Sequence, residues 1–526
     1  MKEILSNGRN DEINFESSAE FGKSAFAAFA SVRYKMRYVL GIDQSTQGTK
    51  ALLFDENGMM LGREDLPHRQ IINDRGWVSH DPEEIYANTL QVIRNVTEKT
   101  GICRDDIAAM GISNQRETSV AFDQSGHPVA DAIVWQCSRA EEICKRVEEQ
   151  GCAGKIQEAT GLRLSPYFPA SKFAWLLENV PGAGTLADRR ELRLGTMDTY
   201  LVYRLTGGRE FRTDYSNASR TQLFNIHTLS WDPEICEMFG IPMECLPEVT
   251  DSDAVFGMTD LEGYLSKKIP ICGVLGDSHA ALFGQGCHER GMVKATYGTG
   301  SSIMMNIGDR PILSSMGVVT SLAWKLGGRV QYVLEGNINY TGAVITWLKD
   351  DMKLISSAGE TGELAAVANP ADHSYLVPAF TGLGAPYWDA KAEAMICGMT
   401  RTTGRAEIVR DALQCIAYQI TDILRVMEKE AGIPVRELRT DGGPTRNIWL
   451  MQFQSDIAGA PVCVSQREEL SGIGAAYAAG ISAGIYEKEA LFSEQKRRNY
   501  PPQMERPKAE RLYEGWKQAV AMILHN

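Results

Sequence analysis

The string Gly41-Ile42-Asp43-Gln44-Ser45-Thr46-Gln47-Gly48-Thr49-Lys50-Ala51-Leu52 is the feature that most constrains this chain. An apolar run that begins at Tyr38 ends on an acidic residue. Hydroxyls, a glycine and a lysine follow, and a second apolar run continues to Phe54. Two short strands joined by a polar turn are the simplest reading. Such a turn offers backbone N–H groups, hydroxyls and one ammonium, which are the groups a phosphate takes. The carboxylate of Asp43 stands where a phosphate-bound Mg²⁺ could be held, directly or through water. No GxxxxGK[ST] string occurs, so this is not a Walker loop. Read by itself, the string is also an ordinary hairpin with a polar tip.

Bulk properties narrow the class. The 526 residues suffice for more than one domain, and 44% apolar with 23% charged residues is an ordinary globular balance. A net charge of −13 argues against a nucleic-acid partner, because no basic surplus exists to neutralise phosphates. ATP is a different case, since a few local groups grip it. The 11 cysteines include no CxxC pair, which points to reduced thiols in a cytoplasmic protein. No apolar run approaches the length of a membrane span. Residues 1–35 lack a core pattern and are expected to form a disordered extension outside the fold, with Met36 as a candidate start.

The remainder divides into two halves of similar plan. In 36–286, β-branched runs such as 107–113 and 132–135 alternate with helical stretches such as 82–98 and 139–150. In 287–526 the pattern restarts: Val293 to Tyr297 enters a second hydroxyl-and-glycine turn, Gly298-Thr299-Gly300-Ser301-Ser302, and Ile303 opens the next strand. Two duplicated α/β domains with a cleft between them follow from this restart. Such clefts are where ligands bind.

Longer strings carry the chemistry. Arg116 and Glu117 stand at the end of an apolar strand and could bind hydroxyls, the guanidinium donating and the carboxylate accepting; a surface ion pair is the plainer alternative. Trp135 beside Gln136 is a pocket wall or a packed core indole. Asp277, between a strand and a helix, is a helix cap or a general base that takes a proton from an attacking hydroxyl. Gly442 and Gly443 precede a helix beginning at Asn447; they serve a tight turn or let backbone approach a flat ring or phosphate.

Together these strings resemble the FGGY carbohydrate kinases from about Tyr38 to the C-terminus, most nearly the branch that phosphorylates glycerol. Carrying the resemblance are Gly76-Trp77-Val78-Ser79-His80-Asp81-Pro82, Asn114-Gln115-Arg116-Glu117-Thr118, Asn217-Ala218-Ser219-Arg220-Thr221, Tyr297-Gly298-Thr299-Gly300 and Phe380-Thr381-Gly382-Leu383-Gly384-Ala385-Pro386-Tyr387-Trp388. The resemblance implies two actin-like (ribonuclease-H-like) α/β domains, ATP and Mg²⁺ in the interdomain cleft, and phosphoryl transfer to a polyol or sugar hydroxyl. By the same resemblance Asp43 holds the metal. Thr46, Gln47, Gly48, Thr49 and Lys50 form the first phosphate turn and Gly298 and Thr299 the second. Gly342, Thr346, Gly443 and Asn447 contact nucleotide. Arg116, Glu117, Trp135, Tyr167, Asp277 and Ser278 form the acceptor pocket, with Asp277 as base.

The chain departs from that family's glycerol-phosphorylating pattern at four places. The first turn reads Asp43-Gln44-Ser45-Thr46-Gln47 where DQGTT is usual, and Lys50 replaces an arginine, so a point charge replaces a bidentate fork. Ser278 and Ser302 stand where Gln and Phe are usual, which predicts a wider, less apolar acceptor pocket. Glycerol is the first expectation. The alternatives are a larger polyol or ketose, such as erythritol or a xylulose-like sugar, or a non-catalytic actin-fold protein that binds nucleotide. Whether identical chains associate is left open by the sequence.

Overall fold

The computed structural model describes residues 36–493 and 495–525; the expectation for residues 1–35 lies outside them. The hairpin forms as read. Strand Tyr38–Gln44 pairs antiparallel with Gly48–Phe54, and Asp43 stands directly across from Lys50. The turn closes where the backbone N–H and the hydroxyl of Ser45 both donate to Gly48 O, each at 2.9 Å.

This hairpin is the centre of a six-stranded sheet. Its order is Val255–Thr259, Ile269–Gly276, Ile107–Asn114, Tyr38–Gln44, Gly48–Phe54, Met60–Pro67. The three strands from Tyr38 to Pro67 form an antiparallel meander, while Ile107–Asn114 and Ile269–Gly276 add in parallel. The second half repeats the plan. Met292–Tyr297 pairs antiparallel with Ser301–Gly308 on one side and parallel with Glu437–Asp441 on the other, within a seven-stranded sheet. Central strands buried on both faces read as continuous apolar runs, which is why both were legible. A smaller five-stranded sheet, from Ile71–Ile72 to Leu192–Thr196, is inserted in the first half.

Helix Leu470–Ser482 crosses the expected division at residue 286. It belongs to the second half by sequence, yet it lies on the first sheet. A Cβ on Gly41, Gly111 or Gly273, one on each of three neighbouring strands, would meet backbone atoms of that helix at 2.5, 2.2 and 2.5 Å. Gly474 on the helix approaches Ala280 of helix Asp277–Gly284 as closely, with 1.9 Å from its ideal Cβ to the Ala280 carbonyl. Close approach requires glycine at these positions, and at Gly273 the left-handed backbone, φ 79°, requires it as well. One buried cluster accordingly mixes the halves, joining Leu52 and Leu275 to Met304, Val333, Ile473 and Tyr477.

Candidate active site

The carboxyl ends of the central strands of both sheets face one cavity of about 850 Å³, lined among others by Asp43, Gln47, Lys50, Gly298, Gly443 and Glu469. The first hairpin and the second turn therefore face one another across the cleft.

On the hairpin side, Lys50 lies 3.7 Å from Asp43 and 2.5 Å from Glu469. Glu469 also takes Arg63 at 2.7 Å and sits in the left-handed region, with φ 63°, just before helix Leu470–Ser482. Asp43 is 5% exposed and accepts from Ser113 Oγ at 3.2 Å. Burial lifts its carboxyl to about 6 against the pull of Lys50, and the Glu469 and Asp277 carboxylates add to the rise. A buried carboxylate among other carboxylates, facing an open cavity, fits a cation. Among the described residues no three His, Cys, Asp or Glu side chains converge on one point. Mg²⁺ held by one carboxylate, with water and phosphate completing its shell, is the arrangement this donor set suits.

One side chain assigned to the phosphate turn faces elsewhere. Thr49 is 0% exposed, and its hydroxyl is buried without a hydrogen-bond partner, because alternation along the strand turns it away from Lys50. Gly48 is small because a Cβ would meet Leu66 O at 2.6 Å, so the third strand demands it. Thr46 and Gln47 remain at the tip.

The second turn is made of backbone. Gly298 N donates to Gly300 O at 2.8 Å, and Gly342 N donates to Gly298 O at 2.9 Å. A Cβ on Gly342 would meet Gly298 O at 2.8 Å; one on Gly442, whose φ is 96°, would meet Tyr297 O at 2.0 Å. Of the paired glycines, Gly442 is the one the fold requires, whereas Gly443 faces open space. Thr299 is exposed, and its carbonyl accepts from Thr341 N at 2.9 Å. Thr346 is exposed with its hydroxyl on Gly342 O at 3.2 Å, and Asn447 caps helix Ile448–Ala458 through Leu450 N at 3.0 Å.

The residues expected to meet the acceptor converge beside the hairpin. Arg116 donates from Nε to Asp277 Oδ1 at 3.1 Å, and from both terminal nitrogens to Glu335 at 2.9 and 2.8 Å. Glu117 holds a left-handed backbone, φ 61°, and receives Arg220 Nε at 2.6 Å. Arg220 also reaches Glu335 at 2.8 Å. Burial raises the Glu335 carboxyl, but Arg116 and Arg220 outweigh it and hold the group well below the usual carboxylate range. Asp277 opens helix Asp277–Gly284, a position favourable to negative charge. Its side chain is 35% exposed and accepts the Ser278 N–H at 2.6 Å. Ser278 Oγ meets Ser302 Oγ at 3.3 Å, and Lys294 Nζ meets Ser302 Oγ at 3.4 Å. The rings of Trp135 and Tyr167 stand 5.5 Å apart, and Trp135 Nε1 donates to Thr46 Oγ1 at 2.9 Å.

Sequence reasoning missed Glu335, Arg220 and Glu469 as parts of this site. Glu335 had a signal: a lone carboxylate inside the apolar run Tyr332-Val333-Leu334-Glu335, buried on a strand of the second sheet. Such a charge must be paired.

Comparison with known proteins shows the family of the chain. The FGGY family of carbohydrate kinases matches through its N-terminal domain at residues 38–284 and its C-terminal domain at residues 293–483. Glycerol kinase 1 of Thermotoga maritima is 48% identical over 93% of this chain and 99% of its own. The glycerol kinase of Symbiobacterium thermophilum is 46% identical over 92% and 97%. Among solved structures, the glycerol kinase of Plasmodium falciparum with ADP superposes with a TM-score of 0.88 at 35% identity, covering 93% of this chain and 99% of that one. Both family domains match over most of the chain, and relatives of 46–48% identity cover it almost throughout, so the chain belongs to the FGGY family of carbohydrate kinases.

Proposed function

We infer that the protein transfers the γ-phosphoryl group of ATP to a terminal hydroxyl of glycerol, giving glycerol 3-phosphate and ADP. The observation that carries this reading is the hydrogen bond from Trp135 to Thr46, which sets the polyol wall against the phosphate hairpin. The kinship with glycerol kinases at 46–48% identity supports glycerol as the acceptor.

Asp277, with Oδ2 free of hydrogen bonds from the described residues, takes the proton of the attacking hydroxyl. The new O–P bond forms as the bond between the γ-phosphorus and the β–γ bridging oxygen breaks, and that oxygen leaves on ADP. Arg116 and Glu117 orient the remaining hydroxyls. Lys50 and the amides of the two turns hold the phosphates. Asp43 would hold Mg²⁺, which when bound neutralises charge on the β- and γ-phosphates. On this reading residues 36–286 supply the acceptor pocket, and residues 287–526 most of the nucleotide site together with the helix that crosses back. The 11 free thiols fit a reducing cytoplasm.

A coupled ADP-release assay over three- to six-carbon polyols and ketoses tests the reading. Glycerol is expected to show the highest kcat/KM. Absence of turnover with every acceptor, or a ketose clearly preferred to glycerol, overturns it.

A further inference from the structure

Lys172 lies on helix Pro169–Asn179 and is 0% exposed. Its ammonium donates to the main-chain carbonyl of Trp135 at 3.3 Å and to that of Tyr167. Glu117, the carboxylate that most influences it, is engaged by Arg220. A buried ammonium without a paired carboxylate is unfavourable unless its hydrogen bonds reach acceptors. For packing alone, a methionine of similar length would serve that helix face.

The two acceptors belong to separate loops, one following strand Ala132–Ile133 and one preceding the helix. Among the described residues no backbone–backbone hydrogen bond joins these loops. Other bonds of these two residues do not reach the opposite loop: Trp135 N donates to Thr118 Oγ1 at 3.3 Å, and Tyr167 N donates to Ser165 Oγ at 3.2 Å. Yet each loop carries one of the two rings that stand 5.5 Å apart at the acceptor pocket.

We propose that Lys172 is a positioning residue for the acceptor: by holding the carbonyls of Trp135 and Tyr167 together, it sets the gap between the two aromatic walls. The proposal rests on the reading of those walls as the acceptor pocket. Burial pushes the ammonium down to about 7 against the influence of Glu117, so the contact is held by a cation whose charge is costly to keep. Trp135 also reaches Thr46, so the same clasp aligns the acceptor wall with the phosphate hairpin. Loss of the clasp widens the gap, while Lys50 and the turn at Gly298 make no hydrogen bond to Lys172.

The test is steady-state kinetics of full-length Lys172→Met, with glycerol and ATP varied in turn. Wild-type turnover of glycerol is measured first. If the wild type phosphorylates another acceptor instead, the functional reading fails, and the comparison is made with that acceptor, so the two failures are told apart. Two hydrogen bonds are lost, so the acceptor KM is expected to rise about tenfold or more while the ATP KM stays within about twofold. A folded variant with an unchanged acceptor KM overturns the proposal, as does a parallel rise in both KM values, which a merely structural role would give. If Lys172→Met does not fold, Lys172→Gln keeps one donor and carries the same test. An acceptor KM raised about threefold with ATP KM unmoved supports the clasp, and an unchanged acceptor KM rejects it.

Discussion

Arg116 of the first domain and Glu335 of the second are joined by two hydrogen bonds, at 2.9 and 2.8 Å, with both side chains buried. The guanidinium that also touches Asp277 is therefore anchored from across the cleft. Breaking a buried pair on one side leaves an uncompensated charge, which costs about 3–5 kcal/mol. Glu335→Gln is expected to lower the melting temperature and to reduce kcat as Arg116 loses its orientation. Calorimetry and turnover measured together check this; unchanged stability would mean that solvent reaches the pair.

Asp277 is expected to act as the base. Asp277→Asn keeps the size of the side chain and the contact with Arg116 while removing the proton acceptor. General-base catalysis contributes about 10²–10⁴-fold, so kcat should fall by that order while ADP affinity is nearly constant. Turnover near the wild-type rate removes Asp277 from the mechanism.

If Asp43 holds the cation, binding of Mg²⁺ with nucleotide is expected to depend on pH. Its folded-state carboxyl is raised to about 6 from an ordinary value of 3.8. Between those values the folded protein holds a proton that the unfolded chain does not. Stability from this group therefore falls as pH rises through that window, and the ionised form a cation needs is complete only above it. Affinity for Mg·ADP should climb from about pH 5 to about pH 7 and then level off, by up to about tenfold per unit on the rising limb. Titration calorimetry with Asp43→Asn should give a weak, flat profile. A wild-type profile that is equally flat would show that Asp43 does not titrate on binding.

The serine pair at the acceptor pocket sets its polarity. Ser278 and Ser302 hydrogen-bond to one another, and Arg116 and Lys294 flank them, so this wall offers hydroxyls rather than carbon. Ser302→Phe should favour glycerol over four- and five-carbon acceptors by about 10-fold or more, the range expected for filling a methylene-sized gap. If the acceptor ranking is unchanged even with Ser278→Gln added, this wall does not face the acceptor.

How far the site was legible depends on distance along the chain. Asp43, Thr46 and Lys50 belong to one local hairpin, and Asp277 stands at a strand-to-helix junction, so periodicity and turn chemistry were enough to single them out. Arg116 and Glu117, taken alone, read first as a surface ion pair; the fold instead buries them against Glu335 and Arg220. Glu335 and Glu469 escaped because their partners lie far off in sequence, and Lys172 because what it holds is main chain, which leaves no side-chain motif to read. Their only local trace was a charge inside an apolar run or next to a helix start. The turn strings were legible as turns but not in detail: Gly48 and Gly442 also serve close approach of backbone, and Thr49 faces the interior, because strand alternation rather than sequence proximity decides what a side chain meets.

Helix Leu470–Ser482, which returns from the second half to cover the first sheet, gives the last prediction. Contact is backbone on backbone, so a single added methyl has no flexible neighbour to displace. At Gly111 the new Cβ would stand 2.2 Å from the Ala475 carbonyl oxygen, and either the helix or the strand Ile107–Asn114 must shift. Overpacking of this kind costs about 1–3 kcal/mol. Gly111→Ala should therefore lower the melting temperature. Since the same helix starts at Glu469, beside Lys50, nucleotide affinity should fall with it. Gly154 is the control. It lies in helix Ala153–Thr160, where an added Cβ meets nothing within 4 Å. Gly154→Ala should raise stability by about 0.4–1 kcal/mol, since alanine leaves the unfolded chain fewer conformations to lose. Thermal unfolding of the two variants should move in opposite directions. A stable Gly111→Ala protein with unaltered ADP binding would show that the helix stands farther from the sheet than the glycines imply.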